Sequence, residues 1–418
     1  MTALTTTAAV RPKTRGWVPF VALESAAGLA ALGNGVSIIA IPWLVLQLTG
    51  NPAAAGLVAG ISALPLLLSS LFSGTLVDRL GRRRTSVMSD VMSGLSVAAI
   101  PVVAVLGHLT LGWIIVLAAL GAVFDPAGVT ARKAMLPEAA ESAGLTLARA
   151  NGIHEAVYGV GFLIGPGLAG VLIAMVGARP TLWVTTAAFF AAAGAMFLVR
   201  VPGSGRPGAH ARRESFLTDT MAGLRFVWND QALRGLTIMF TVLIGAWMPI
   251  EGVLLPVYFQ RQNAPEHLGI IFIAMGAGGV VGSLGYGAIG NRFRHRPALL
   301  VSMIATAVPT VGMALLPPFV VLLVLAALSG LFFGPIPPIT NIVLQQRTPE
   351  VLRGRVIGTI TSLSYAAGPL GLMIAGPLVV ALGLRGAFAV LAGVIVVVAI
   401  ATIPMRSLRL LDETNDAA

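Results

Sequence analysis

The feature that most constrains this chain is a recurrence. Apolar stretches long enough to cross a bilayer follow one another along nearly all of its 418 residues. A membrane-spanning helix needs about 20 mainly apolar residues, and twelve such spans can be laid on the sequence. They fall at 17–46, 53–77, 86–106, 110–130, 152–176, 180–200, 232–259, 267–289, 297–315, 318–340, 356–382 and 386–405. With 56% hydrophobic residues, 10% charged residues and a mean hydropathy of +0.90, the chain cannot hide its apolar surface in one water-soluble core. The expected fold class is all-α integral membrane protein with twelve transmembrane helices.

The first span follows a short basic tail, is too long for a signal-peptide core and precedes no small-residue cleavage pattern, so it reads as retained. There is no cysteine, which excludes disulfides, thiolate metal sites and cysteine nucleophiles. The net charge of +11 is explained by where the bases fall. All lysines and arginines except Arg179, Arg261 and Arg385 belong to the two termini and the even-numbered connections. By the positive-inside rule both termini are cytoplasmic, and the even span count agrees. The basic loops then face anionic lipid headgroups, and no nucleic-acid partner is needed. Arginine outnumbers lysine 25 to 2 and alanine is abundant, a composition that points to a GC-rich bacterial genome and hence to the bacterial inner membrane.

One break divides the chain. Residues 201–218, VPGSGRPGAHARRESFLT, read as a flexible cytoplasmic linker, and 219–230 as an amphipathic helix on the membrane surface. This gives a first bundle of six spans over 1–200, a connecting region over 201–230 and a second bundle over 231–418. The halves echo each other: GTLVDRLGRRR from Gly74 aligns with GAIGNRFRHRP from Gly287, placing Asn291 under Asp78 and Arg292 under Arg79. Pro137-Glu138 and Pro349-Glu350 recur after the fourth span of each half. A six-span repeat is the signature of a transporter whose halves rock about a central site.

Five stretches carry a family resemblance: GVSIIAIPWLVLQ, GTLVDRLGRRR, ARKAMLPEAA, GLRFVWN and RGRVIGTITSLSYAAGPLG. Over essentially its whole length the sequence resembles the major facilitator superfamily, and within it the mycobacterial Tap-type exporters of tetracycline and other drugs. The resemblance implies the superfamily fold of two pseudo-symmetric bundles and active efflux. Its loop signature falls on Gly74, Asp78, Arg79, Gly81, Arg82 and Arg83, where it implies a latch favouring one transport conformation. Physically, Gly74 permits close helix approach and Gly81 a tight turn, and Asp78 can accept hydrogen bonds at the N-terminus of another helix, with the eleventh span as the expected partner. The alternative is a topological stop signal with solvated charges. The second-half copy lacks the acid and the second glycine.

In the fifth span Gly152, Gly161, Gly165, Pro166 and Gly170 match the spacing of the superfamily's antiporter signature, with Ala169 in place of one closing glycine. Small residues let two backbones meet and proline bends the helix. Gly278, Gly282 and Gly285 of the eighth span are the expected partner surface. Direction of transport comes from the resemblance alone; glycine packing without direction is the other reading.

Desolvation favours the neutral form of a carboxyl, so acids inside spans are candidates for proton exchange. Those inside or near spans are Glu24, Asp90, Asp125, Glu155 and Glu251. Asp90, Asp125 and Glu155 fall near cytoplasmic ends, where pairing with basic loops is expected. Glu251, in PIEGVLLP, is the principal candidate, either titrating or acting as a fixed hydrogen-bonding or cation-binding acid. Asn34-Gly35-Val36 reads as its counterpart in the first span. Relatives of the resembling type tend to carry an acid where Asn34 stands, so coupling falls to Glu251 with Glu24 or Glu155, or else the amide replaces a working acid.

Substrate contacts are expected from Asn34 and Ser37 in the first span, Trp43 and Gln47 further out, Trp247, Met248 and Tyr258 in the seventh, and Asn341 and Gln345 below the tenth. Aromatic and methionine side chains adapt to varied apolar molecules; Trp43 and Tyr258 equally fit interfacial anchors. A cavity carboxylate would favour cationic or zwitterionic drugs. The chain carries no reactive cluster for an enzyme, since adjacent His154 and Glu155 diverge by about 100° on a helix. Nor does it carry a phosphate-binding Gly-x-x-x-x-Gly-Lys loop. The expectation is a monomeric, proton-driven exporter without cofactor or metal. Its rivals are export of a siderophore or metabolite, uptake, and a non-transporting scaffold.

Overall fold

The computed structural model describes residues 16–201, 216–289, 294–348 and 350–404. Among them the chain is helical, with no strand. The first half contains α1 (Val18–Thr49), α2 (Pro52–Leu80), α3 (Arg82–Val105), α4 (Leu111–Ser142), α5 (Leu147–Val176) and α6 (Ala178–Leu198). A short helix α7 (Phe216–Asn229) precedes the second half. That half begins with α8 (Gln231–Pro249), a π-helical segment (Ile250–Leu254) and α9 (Leu255–Arg261), which together form one span. It continues with α10 (Pro265–Ile289), α11 (His295–Ala314), α12 (Phe319–Phe333), α13 (Ile336–Arg347) and α14 (Glu350–Thr402).

Ten stretches among the described residues are long and apolar enough to cross a membrane. The last of them includes Gly383, where φ 72° and ψ 170° leave the helical region, so α14 is two helices folded back at that glycine. With the 29 residues of α2 this makes twelve passes. The turn at Gly81 has φ 87° and ψ 145°, a backbone region open in practice only to glycine, and it lets α3 start one residue after α2 ends. Asp230 caps α8 by accepting from the Ala232 and Leu233 amides.

Two boundaries depart from the hydropathy reading. Helix α4 runs to Ser142, well past the expected end at 130, because polarity marks where the bilayer stops and not where the helix stops. The tenth span is broken between α12 and α13 at Gly334 and Pro335, within a run that also holds Pro337 and Pro338. Prolines lack the amide that would continue the ladder.

In the first half α1 packs against α5 and α6, α3 against α4 and α6, and α2 against α4; in the second, α14 packs against α8, and α10 and α11 against α12. The halves meet where α2 lies against α14, α5 against α10, and α1 against α9. These seams are tight at the end remote from the termini. A Cβ at Gly376 would come within 2.5 Å of the Ala53 Cα, and one at Gly170 within 2.8 Å of the Gly269 Cα. The faces of α5 and α10 that meet there become exposed toward the termini, at Gly152, Ala156, Gly159 and Val160 on α5 and at Val280, Leu284 and Gly287 on α10. The two helices therefore part, and a cleft between the halves opens toward the terminal side.

Candidate functional site

Glu251 occupies the π-helical segment of the seventh span. Pro256 has no amide to give to the Gly252 carbonyl, and just before it the Leu255 amide bonds instead to the Ile250 carbonyl five residues back. The widened turn holds Glu251 half-buried, and its Oε1 accepts a 2.7 Å hydrogen bond from the Trp247 indole one turn earlier. Trp247 in turn stacks on Phe333 of α12, with ring centroids 5.3 Å apart and planes at 17°. The π segment packs on α14 of its own half and on α1 and α2 of the other. The membrane-embedded acid of the second half thus sits where the two halves join.

The acids of the first half have found partners that sequence distance conceals. Asn34 on α1 donates to Asp125 on α4 at 2.9 Å, across 91 residues. Asp90 on α3 accepts from Arg132 on α4 at 2.9 and 3.0 Å, with both residues almost wholly buried. The pairing expected with basic loops is therefore made inside the bundle, by an arginine two residues beyond the expected end of its span. Glu24 on α1 meets His154 on α5, whose Nδ1 lies 3.2 Å from each carboxylate oxygen. Glu155 is 65% exposed and paired with the exposed Lys133 at 3.0 Å, so it lacks the desolvation on which its candidacy rested. His154 and Glu155 do point to different neighbours, as their helical spacing requires.

Two charges of the turn between α2 and α3 act as structural ties. Arg82 bonds to the Glu138 carboxylate at 2.6 Å and to the Ala134 carbonyl at 2.8 Å. Arg83 donates to the carbonyls of Met196 and Phe197 at the C-terminal end of α6 and lies over the Phe197 ring. Arg79 is exposed. The side chains of Gly74, Asp78 and Gln345 and the whole of Asn291 and Arg292 lie outside the described residues.

The glycines of the fifth span serve two neighbours instead of one. Gly161 and Gly165 face α1, where a Cβ at Gly165 would stand 2.7 Å from the Gly35 Cα and Pro166 abuts the same glycine. Gly170, together with Gly167, faces α10 at Gly269 and Ile273. Gly152 has open space beside it. The expected partners Gly278 and Gly282 face α12 instead, against the carbonyls of Ala327 and Leu331, and Gly285 meets nothing. The reason is helical phase: Gly278 stands nine residues, half a revolution, from Gly269.

Of the expected substrate contacts, Trp43 is a core residue only 1% exposed, neither lining the cleft nor anchoring at an interface. Its indole nitrogen has no hydrogen-bond partner among the described residues, and neither has the Ser37 hydroxyl. Gln47 and Asn341 are exposed, Met248 and Tyr258 half-buried, and Trp247 largely buried. Among the described residues no cluster of three or more His, Cys, Asp or Glu could hold a metal.

Two six-helix halves joined at one end define a multi-pass membrane protein, and its relatives make it a transporter and not an enzyme. The chain belongs to the Major Facilitator Superfamily, whose profile matches residues 23–265 and 250–415. It is 44% identical over 397 residues to the multidrug efflux pump Tap of Mycolicibacterium fortuitum, covering 94% of this chain and 97% of that one. It is 44% identical over 390 residues to the pump of the same name from Mycobacterium tuberculosis, covering 92% of each. Among solved structures, the nucleoside transporter NupG superposes with a TM-score of 0.77 at 14% identity over 92% of this chain and 98% of that one. A bacterial homologue of the human lysosomal transporter Spinster, inward-facing and unoccupied, gives 0.73 at 14% identity over 97% and 98%. These two share the fold.

Proposed function

We propose that this chain is a proton-coupled antiporter that exports tetracycline-like and other drugs from the cytoplasm by alternating access. The observation that carries the reading is the place of Glu251, an acid on a widened helical turn where α8–α9 meets α1 and α2 of the opposite half. A charged carboxylate there calls for water or a cation, and so for a parted junction; a protonated one can be enclosed. Proton and cationic drug then compete for one site whose occupancy biases which end is closed. This is the linkage an antiporter needs. The names of the relatives support drugs as cargo, as does the 19% identity over 404 residues to macrolide efflux protein A of Streptococcus pyogenes.

The basic termini and even connections support a reading with both ends in the cytoplasm of a bacterial inner membrane and anionic headgroups around Arg79, Arg84 and their neighbours. The cleft then opens inward. On this reading Asp78 latches the cytoplasmic side when it closes, the proton gradient is the energy source, and the working unit is the monomer.

The test is accumulation of radiolabelled tetracycline in a pump-deficient bacterium carrying empty vector, this chain, Glu251→Gln or Asn34→Asp, each with and without a protonophore. The expected result is low accumulation with the unaltered chain, abolished by the protonophore and by Glu251→Gln. Export by Asn34→Asp alone would mean that the amide disables this chain. Export by none at confirmed expression would turn the search to siderophores and metabolites.

A further inference from the structure

We propose that Glu24 and His154 form a proton-binding site of the first half, separate from Glu251, which gives up its proton as a cationic substrate enters the cleft. The proposal rests on the proton-driven reading above and adds a second titrating centre to it.

The pair is built by α1 and α5, since its members lie 130 residues apart in sequence. The imidazole Nδ1 is equidistant from the two carboxylate oxygens, and exposure is 2% for His154 and 6% for Glu24. Two titratable groups in contact behave as one macroscopic site. With one proton between them the pair is neutral overall, whether the proton rests on oxygen or nitrogen; with none it carries one negative charge. A dry site holds the neutral form until positive charge arrives to offset the loss. A drug cation in the cleft supplies that charge.

Charged groups on the helices packed against the pair have partners of their own. On α4, Asp125 is held by Asn34, Arg132 by Asp90, Lys133 by Glu155 and Glu138 by Arg82, and Glu141 stands in its last turn. On α5 itself stand Arg149, Glu155 and Tyr158; α6 offers Arg179 at its far end, and α2 brings Asp78 and Arg79 at its terminal end. Glu251, Tyr258 and Arg261 belong to the π segment and α9, and Glu266, His267 and Tyr286 to α10. Among the described residues none of these makes an ion pair with Glu24 or His154.

The position also suits coupling. His154 lies on the face of α5 turned to α1, and about four turns further on the same helix meets α10 of the other half at Gly167 and Gly170. A change in charge between α1 and α5 therefore acts on the helix that closes one seam between the halves.

The test uses inside-out membrane vesicles holding the full chain, with tetracycline as the probe and two readouts: accumulation driven by an imposed pH gradient, and drug-for-drug counterflow without a gradient. Glu24→Gln and His154→Gln are expected to lose about ten-fold or more of the gradient-driven accumulation while counterflow persists, the span of a typical coupling factor. Glu24→Asp, which keeps an acid, is expected to restore part of it. Gradient-driven accumulation unchanged in both variants would overturn the proposal. So would parallel loss of counterflow with no recovery in Glu24→Asp, which would make the pair a structural tie. If the unaltered chain accumulates no tetracycline under a gradient, the proton-driven drug reading itself fails, and that outcome is distinct from the other two.

Discussion

The two halves share a fold and hold themselves together differently. In the first, helices are joined by charge: Asp90 with Arg132, Glu24 with His154, Asn34 with Asp125, Lys133 with Glu155 and Arg82 with Glu138. In the second, one ion pair, Arg347 with Asp230 at 3.3 Å, ties α13 to the start of α8, and the rest of the work falls to backbone contact and rings. Gly278 and Gly282 bring α10 onto the carbonyls of α12, while Gly330 and Gly334 reciprocate against Met275 and Gly279. Tyr286 and His295 join α10 to α11 at 3.1 Å, and Trp247 stacks on Phe333. In lipid an apolar face gains little by leaving its surroundings, so helices associate by close approach or by polar contacts. Both halves use both means, and among the described residues the first carries most of the ion pairs. The charged half carries ties that can respond to protons and cations, and the close-packed half presents its one described mid-span acid, Glu251, at the junction.

The largest expected effect comes from breaking the buried pair of the first half. Arg132→Ala leaves Asp90 uncompensated and should destabilise the protein by about 3–5 kcal/mol, with Arg132→Met plus Asp90→Leu recovering most of it. Thermal unfolding of the detergent-solubilised chain measures both. A loss confined to a few tenths of a kcal/mol for Arg132→Ala would mean that charge does not hold this half.

The second half should be sensitive to bulk instead. Gly282→Leu drives a side chain into the Leu331 carbonyl and should cost about 1–3 kcal/mol, while Gly285→Leu, with open space beside it, should cost nearly nothing. Equal tolerance at both positions in the same unfolding assay would erase the contrast between the halves.

The smallest expected effect refines the contrast within the first half. Lys133 and Glu155 are 54% and 65% exposed, so Lys133→Ala should cost about 0–1 kcal/mol, and less at high salt. A cost near that of Arg132→Ala would place this pair with the buried ties.

The limits of sequence reading follow the same physics. Spans, loop charges and the Gly81 turn were legible because hydropathy, positive-inside bias and glycine conformation are local properties. The partner of Gly170 was not, because these spans are apolar on every side and no stripe marks which face turns inward. Gly278 and Gly282 have the spacing of a partner surface but sit on the other side of α10. The burial of Arg132 is not legible from hydropathy because it lies beyond the end of an apolar run and depends on a helix that continues past that run. Its signal was present in the sequence as an arginine at helical spacing from Asp125, seven residues and two turns away.

By itself the sequence determined twelve passes, two related halves, an uneven distribution of charge and an acid at position 251. Each depends only on the cost of placing given residues in lipid or in a tight turn. The tertiary structure alone decided that Glu24 belongs with His154 and Asn34 with Asp125. It also decided that α5 divides its glycines between α1 and α10, and that Glu251 rides a π turn at the junction of the halves. Those facts depend on the rotation and order of helices about one another, and packing sets these through contacts between residues up to 130 positions apart.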